Sequence, residues 1–223
     1  MKSPGTNAQS VIAIVPVNIL AMSKARLAPS LNAALRRRLS TAMLADVLTA
    51  MRKVRTIRRI TVVSADRSVA RLAHVMAAHF LWEGERRGLN KGLRLALLDA
   101  SRRKASAALI LPADIPLVTP REISRFLRLS DGRSIAITPS KDGAGTNALL
   151  LRPPRMIKPS FGENSFRRHT AAAKQKGLTP KVIKLRGISL DVDEPRDLAR
   201  LRGAPPRSET GRLVRSVDNQ IKV

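Results

Sequence analysis

Short apolar runs alternate with stretches of helical periodicity along almost the whole chain, and this alternation restricts the fold more than any other feature. The candidate strands are Val11–Val17, Ile60–Ser64, His79–Glu83, Ala107–Pro112, Ser134–Thr138, Asn147–Leu151 and Lys181–Leu185, with Ile188–Val192 as a further extended piece. The candidate helices between them are Ala33–Val54, Ser68–Ala78, Asn90–Arg103, Pro120–Leu129, Ser165–Lys176 and Pro195–Leu201. In the first, Leu35, Leu39, Met43, Leu44, Val47 and Met51 recur at helical spacing. Thr119-Pro120 and Glu194-Pro195 set a proline at the first helical position. Strand and helix in alternation predict an α/β fold, a mostly parallel central sheet with helices on both faces. Ala108-Leu109-Ile110-Leu111, apolar at every position, suits a strand buried on both sides.

At 223 residues the chain can bury a core without covalent staples. It contains no cysteine, which excludes a disulfide scaffold, a thiolate zinc site and a cysteine nucleophile. The reading is a single domain over residues 1–202 followed by a flexible C-terminal tail, 203–223. That tail carries Pro205-Pro206, few apolar residues and no clear period. The longest apolar run, Val11–Met22, is interrupted by Pro16 and Asn18 and is too short to span a bilayer. Lys2 precedes it, but Ser23-Lys24-Ala25-Arg26 follows where a signal peptide would have small residues for cleavage. It reads as a buried first strand of a cytoplasmic protein.

Lys and Arg number 42 against 16 Asp and Glu, a net charge of +26. Such an excess favours anionic partners, although runs such as Arg36-Arg37-Arg38 also serve as solvated helix surface. Only five aromatic residues are present, Phe80, Trp82, Phe126, Phe161 and Phe166, too few for a platform that stacks single-stranded nucleic acid.

Against this charge the carboxylates stand out. The first 45 residues contain none. Asp114 lies in Leu111-Pro112-Ala113-Asp114-Ile115-Pro116, just past an apolar strand, where ligands of open parallel sheets bind. Asp191 and Asp193 are two residues apart in Leu190-Asp191-Val192-Asp193-Glu194-Pro195, and in an extended segment they face the same side. Paired carboxylates repel unless a cation lies between them, and magnesium with oxygen ligands from Asp191, Asp193 and Asp114 would satisfy them. The plainer alternatives are a helix start at Asp193 or Glu194 and a turn aspartate at Asp114 before Pro116.

Several loops could hold phosphate. Asp142-Gly143-Ala144-Gly145-Thr146-Asn147 joins two strands, and its glycines permit close backbone approach. Phe161-Gly162-Glu163-Asn164-Ser165-Phe166 leads into a helix whose free N–H groups favour an anion, or Asn164 or Ser165 simply caps it. Lys24 and Arg26 follow the first strand and suit a triphosphate. Arg87-Gly88-Leu89-Asn90 opens another helix, with Gly88 and Asn90 as nucleotide contacts. There is no Walker loop, no GxGxxG, no GxSxG elbow, and no metal-ligand spacing among His74, His79 and His169. Nucleotidyl transfer to an already anionic phosphate needs metal and positioning more than a dedicated base.

The ordered set VPVNILAMSKARL, ITVVSAD, GLNKGL, LPADIPLVTP, GAGTNALLLRPP, FGENSFRRH and LDVDEPRDL, from Val11 to Leu201, resembles the guanylyltransferases of coenzyme F420 biosynthesis. These are the 2-phospho-L-lactate guanylyltransferases and the bacterial relatives that use phosphoenolpyruvate or 3-phospho-D-glycerate. The resemblance implies a nucleotidyltransferase (Rossmann-like) fold, GTP as co-substrate and Mg2+ as cofactor. It implies metal ligation by Asp114, Asp191 and Asp193, GTP phosphates at Lys24 and Arg26, and the acceptor phosphate at Thr146, Gly162 and Ser165. Asp114, Lys24 and Arg26 are then the catalytic residues. Many relatives carry lysine right after the Val-Pro-Val strand, where this chain has Asn18. The expected partners are GTP and a small phosphorylated acid, with neither nucleic acid nor membrane, and a homodimer is a candidate assembly. Two rival readings are a nucleotidyltransferase of the same fold acting on a sugar phosphate or molybdopterin, and a non-catalytic basic protein that binds nucleic acid.

Overall fold

A computed structural model of the chain describes residues 10–20, 24–84 and 88–217. Seven strands form one sheet in the order β3-β2-β1-β4-β6-β5-β7. They are β1 (Val11–Pro16), β2 (Ile57–Ser64), β3 (His79–Trp82), β4 (Ala107–Ile110), β5 (Ile135–Pro139), β6 (Thr146–Leu151) and β7 (Lys181–Val182). The helices are α1 (Ala33–Arg52), α2 (Ser68–Val75), α3 (Leu89–Arg102), α4 (Pro120–Leu129), α5 (Ser165–Lys174), α6 (Arg186–Ser189), α7 (Pro195–Leu201) and α8 (Glu209–Ser216).

β1 pairs in parallel with β2 and β4, β2 with β3, and β5 with β7. β6 runs antiparallel to both of its neighbours, β4 and β5. The expected mostly parallel sheet is therefore present, with one reversed strand. The reversal matters for the site. Ile110 at the end of β4 pairs with Leu149 near the start of β6. Thr146, which opens β6, consequently lies at the same sheet edge as the loop leaving β4.

Both faces of the sheet are covered. On one, Val11, Ala13, Val15, Val62, Leu109 and Leu150 pack with Leu44, Val47, Leu48 and Met51 of α1 and Ile123 and Phe126 of α4. On the other, Ile12, Ile14, Ile110, Ile137 and Leu149 pack with Leu93, Ala96 and Leu97 of α3 and Ala173 of α5. This is why β1 and β4 read as continuous apolar runs: neither face meets water. At about 25 cal/mol per Å2, each fully buried Leu or Ile contributes roughly 2 kcal/mol.

Two sequence expectations are corrected. Ile188 belongs to the short helix α6 and not to an extended piece. The C-terminal segment is not a loose tail as far as Val217: α8 docks against α1, and Val214 and Val217 join Leu35, Leu39 and Met43 in a third apolar cluster with Leu198 and Leu201 of α7. Thr210, Leu213, Val214 and Val217 are spaced to line one helical face. Among the charged residues and prolines around it, so short a stripe escapes a search for period. Gly211 is required by close packing, since a Cβ there would lie 2.2 Å from the Pro205 carbonyl oxygen. The last residues of the expected tail, 218–223, lie outside the described residues, as do Ser23 and Arg87 of the two basic loops. Among the described residues no helix is long and apolar enough to cross a membrane.

Candidate active site

Three segments far apart in sequence meet at the edge where β1 and β4 end. Leu111 continues β4 through a 3.1 Å hydrogen bond from its N–H to the Ile14 carbonyl, and Asp114 follows in the turn. The segment between α6 and α7 is laid beside it, its Val192 N–H donating to the Asp114 carbonyl at 3.0 Å. That segment is fixed at both ends. Upstream, Glu122 in the capping box of α4 accepts the Gly187 N–H at 2.6 Å. Any side chain at 187 would collide with the Glu122 carboxylate and the Leu117 carbonyl, at 2.4 and 2.7 Å. Downstream, buried Asp197 in the first turn of α7 accepts the N–H groups of Asp193 and Glu194 at 3.1 and 3.0 Å. Glu194 is thus the residue that starts the helix at Pro195, and Asp193 is left facing the cavity.

Lys24, in a left-handed conformation (φ 57°) before a 3-10 turn at Ala25–Leu27, inserts its ammonium between two of these acids. Its Nζ is 2.7 Å from Asp114 Oδ2 and 2.6 Å from Asp193 Oδ1. Burial works to lower the Lys24 pKa, but the charges and hydrogen bonds of Asp114 and Asp193 outweigh it and hold it above its ordinary value. Asp191 completes the group. Burial pushes its carboxyl up, and the Asp114 and Asp193 charges add to that, against a hydrogen bond from Asn147 Nδ2 at 3.2 Å and one from its own backbone.

The chemistry of this set suits a hard cation. All the donors are carboxylate oxygens, and the buried Oδ1 of Asp114 has no hydrogen-bond partner. Among the described residues no three acids or histidines are gathered as closely as a finished ligand set. Instead the Lys24 ammonium supplies the positive charge between Asp114 and Asp193. The sequence reading assigns Lys24 to the phosphates of GTP; the structure pairs it with the two acids.

The opposite wall comes from the β5–β6 hairpin and the loop entering α5. Asp142 shapes the hairpin by accepting from the Ser140 hydroxyl and the Ala144 N–H, bonds that hold its carboxyl below the usual range. Gly143 adopts φ 77°, and a Cβ at Gly145 would lie 2.7 Å from Ser140 Oγ. The two glycines answer the turn and this internal packing. Next, Asn164 enters α5 in the left-handed region (φ 53°) without a side-chain cap, after Gly162 at φ 106°. Of the plainer alternative, a cap by Asn164 or Ser165, the structure gives Asn164 the N-cap position with no side-chain hydrogen bond to the helix.

Between these walls lies a cavity of about 700 Å3, within the range of small-molecule sites. Lys24, Arg26, Asp114, Asp191 and Asp193 line it together with Thr146, Gly162 and Ser165, eight residues that the sequence singled out. Asn18 lines it as well. Gly88 and Asn90 are not among its lining residues. Gly88 caps α3 at φ 82°, and Asn90 is spent on the chain itself, accepting the Phe161 N–H at 2.7 Å and donating to its carbonyl at 3.0 Å. Asn90 therefore secures the loop that carries Gly162. Sequence reasoning missed Asn147, His169 and Asp197. Asn147 was detectable as a polar residue opening an otherwise apolar strand; the other two had no local signal.

A family model described as "Guanylyl transferase CofC like" matches residues 11–209. A protein of Sphaerobacter thermophilus named phosphoenolpyruvate guanylyltransferase is 40% identical over 197 residues, covering 88% of this chain and 95% of that one. One of Methanothermobacter thermautotrophicus named 2-phospho-L-lactate guanylyltransferase is 35% identical over 189 residues, covering 85% and 82%. A crystal structure from Desulfovibrio desulfuricans G20, named only provisionally as a nucleotide-diphospho-sugar transferase, superposes with a TM-score of 0.75 at 16% identity, covering 94% and 96% of the two chains. That likeness carries the fold alone. The match over nearly the whole body, together with the acidic and glycine-loop motifs standing around one cavity, means that this chain belongs to the CofC-like guanylyl transferase family.

Proposed function

We propose that the chain transfers GMP from GTP to the phosphate of a small phosphorylated carboxylic acid, releasing pyrophosphate, in coenzyme F420 biosynthesis. The observation that carries the reading is the single cavity bounded by Lys24, Arg26 and three aspartates on one side and by Thr146, Gly162 and Ser165 on the other. A phosphate oxygen of the acceptor attacks the α-phosphorus of GTP. The bond from that phosphorus to the bridging oxygen breaks, and pyrophosphate leaves with the electron pair. The acceptor phosphate is already ionised at neutral pH, so the chemistry asks for no general base. This agrees with a cavity lining that contains no histidine.

Thr146, Gly162 and Ser165 hold the acceptor phosphate in this reading. Arg26 and Lys24 steady the GTP phosphates and the departing pyrophosphate. Asp114, Asp191 and Asp193 would hold Mg2+, which when bound supplies neutralisation of phosphate charge. Among the acids, phosphoenolpyruvate is favoured: the relative named for it is 40% identical, against 35% for the one named for 2-phospho-L-lactate. Both co-substrates are soluble metabolites, and the reading sets the reaction in the cytoplasm.

The test is one tube holding GTP, Mg2+, phosphoenolpyruvate, 2-phospho-L-lactate and 3-phospho-D-glycerate, read by mass spectrometry and pyrophosphate release. A guanylylated phosphoenolpyruvate as main product is expected. Release of no pyrophosphate with any of the three would end the reading.

A further inference from the structure

His169 lies on α5 behind the cavity wall, with none of its surface exposed. Its two ring nitrogens meet different partners. The Ser160 backbone N–H approaches Nε2 at 2.9 Å, and Thr146 Oγ1 lies 3.1 Å from Nδ1. A backbone amide can only donate, so Nε2 must be the acceptor. A neutral imidazole carries one proton, which is then on Nδ1 and points at Thr146 Oγ1. Among the described residues the Thr146 hydroxyl has no other partner, and Thr146 lines the cavity.

We propose that His169 is a positioning residue: its Nδ1–H donates to Thr146 Oγ1, which turns the Thr146 hydroxyl outward so that its own proton is offered to an oxyanion in the cavity. This rests on the reading of the cavity given above and assigns the oxyanion to the acceptor phosphate. A hydroxyl free to rotate can aim its proton at any neighbour; one that accepts from an imidazole cannot turn its proton toward that ring, so the proton is left to the cavity side. The wall at Thr146 thereby offers a donor suited to an ionised phosphate oxygen. The same ring holds the neighbouring loop that enters α5. It packs edge-on against Phe161, with centroids 4.8 Å apart, and Phe161 is bound on both backbone atoms by Asn90. One buried side chain thus fixes the hairpin wall and the Gly162 loop relative to each other. Burial, aided by the nearby Arg168 charge, lowers the His169 pKa to about 4, which keeps the ring neutral at working pH.

Two measurements decide the matter. The first needs no ligand: nitrogen–proton correlation spectra of the imidazoles show which nitrogen of His169 bears hydrogen, the chain's other histidines being His74 and His79. A protonated Nδ1 and bare Nε2 between about pH 5.5 and 8 are expected, since that window lies above the lowered pKa. A protonated Nε2 or a doubly protonated ring there overturns the proposal. The second is a kinetic split between His169→Phe, which keeps the bulk but has no donor, and His169→Asn, whose amide can still donate to Thr146. His169→Phe should raise the KM for phosphoenolpyruvate about tenfold or more, the scale of a hydrogen bond to a charged group, with the KM for GTP within about twofold. His169→Asn should recover part of the loss. Equal KM values for the acceptor in wild type and His169→Phe overturn the proposal. If wild type consumes no phosphorylated acid, the proposed function fails, while the spectra still decide whether His169 Nδ1 carries the proton that faces Thr146.

Discussion

Lys24 Nζ lies 2.6 Å from Asp193 Oδ1 across 169 residues of chain, and the same ammonium is 2.7 Å from Asp114 Oδ2. A fixed cation therefore stands between acids that the proposed function assigns to a divalent ion. The Lys24 side chain is only 9% exposed; its partner Asp114 is 26% exposed and Asp193 43%, so the contact with Asp114 is the better shielded from water and that with Asp193 is partly screened.

Removing that ammonium should have two opposite effects. Lys24→Met leaves Asp114 without its counter-charge and should cost about 1–3 kcal/mol in urea unfolding, discounted for the exposed partner. It also removes a competitor for the carboxylates. Binding of Mn2+ without nucleotide, followed by electron paramagnetic resonance, should tighten by about tenfold. Weaker Mn2+ binding would show that Lys24 does not compete for the position.

Asp191→Ala and Asp193→Ala should each reduce turnover by at least about a hundredfold, the scale of losing charge stabilisation in a transition state. Neither side chain belongs to the apolar clusters, so circular dichroism should stay unchanged. Full activity in either variant would remove that residue from the metal assignment.

Asp197 is fully buried and pairs with Lys141 while accepting from the Asp193 and Glu194 backbone. Burial alone would raise its pKa; the Lys141 bond and the two backbone donors outweigh that and set it below the ordinary 3.8. A depressed carboxylate contributes stability above its unfolded pKa, and that contribution is lost as pH falls through the folded value. Asp197→Asn should cost about 2–4 kcal/mol at pH 7 by leaving Lys141 uncompensated. The variant should also show a flatter loss of stability below about pH 4 than wild type. Parallel acid unfolding curves for the two proteins would contradict this.

His169 gives a second pH dependence in a different window. Its pKa falls from 6.5 to about 4 on folding, so between those values the unfolded chain binds the extra proton. Stability should therefore decline as pH drops from about 6.5 toward 4, by about 3 kcal/mol in all. Urea denaturation at both ends of the window measures it, and His169→Phe should lack that component.

Asp46, the first acid in the chain, accepts the Glu209 and Thr210 N–H groups at 2.8 Å each and so caps α8 from α1. Asp46→Ala should lower stability by about 1–2 kcal/mol, the worth of a helix cap. Activity should be unchanged, since α8 stands apart from the cavity lining. A wild-type melting temperature in this variant would mean that the docking of α8 rests on Val214 and Val217 alone.

The sequence by itself determined the layers and the inventory of groups. Continuous apolar character in β1 and β4 is a local consequence of burial on both faces, and prolines 120 and 195 mark helix starts because their missing N–H costs nothing there. The rarity of acids pointed to Asp114, Asp191 and Asp193 without any coordinates. Only the tertiary structure decided the direction of β6, which turns Thr146 toward Asp114, and the pairing of Lys24 with Asp114 and Asp193. The same holds for the use of Asn90 on Phe161, the cap that Asp46 gives α8 and the two contacts of His169. Each of these joins residues that no periodicity relates, 9 to 169 positions apart. Local patterns record which face of an element avoids water; they do not record which polar group will stand opposite another once the sheet has ordered its strands.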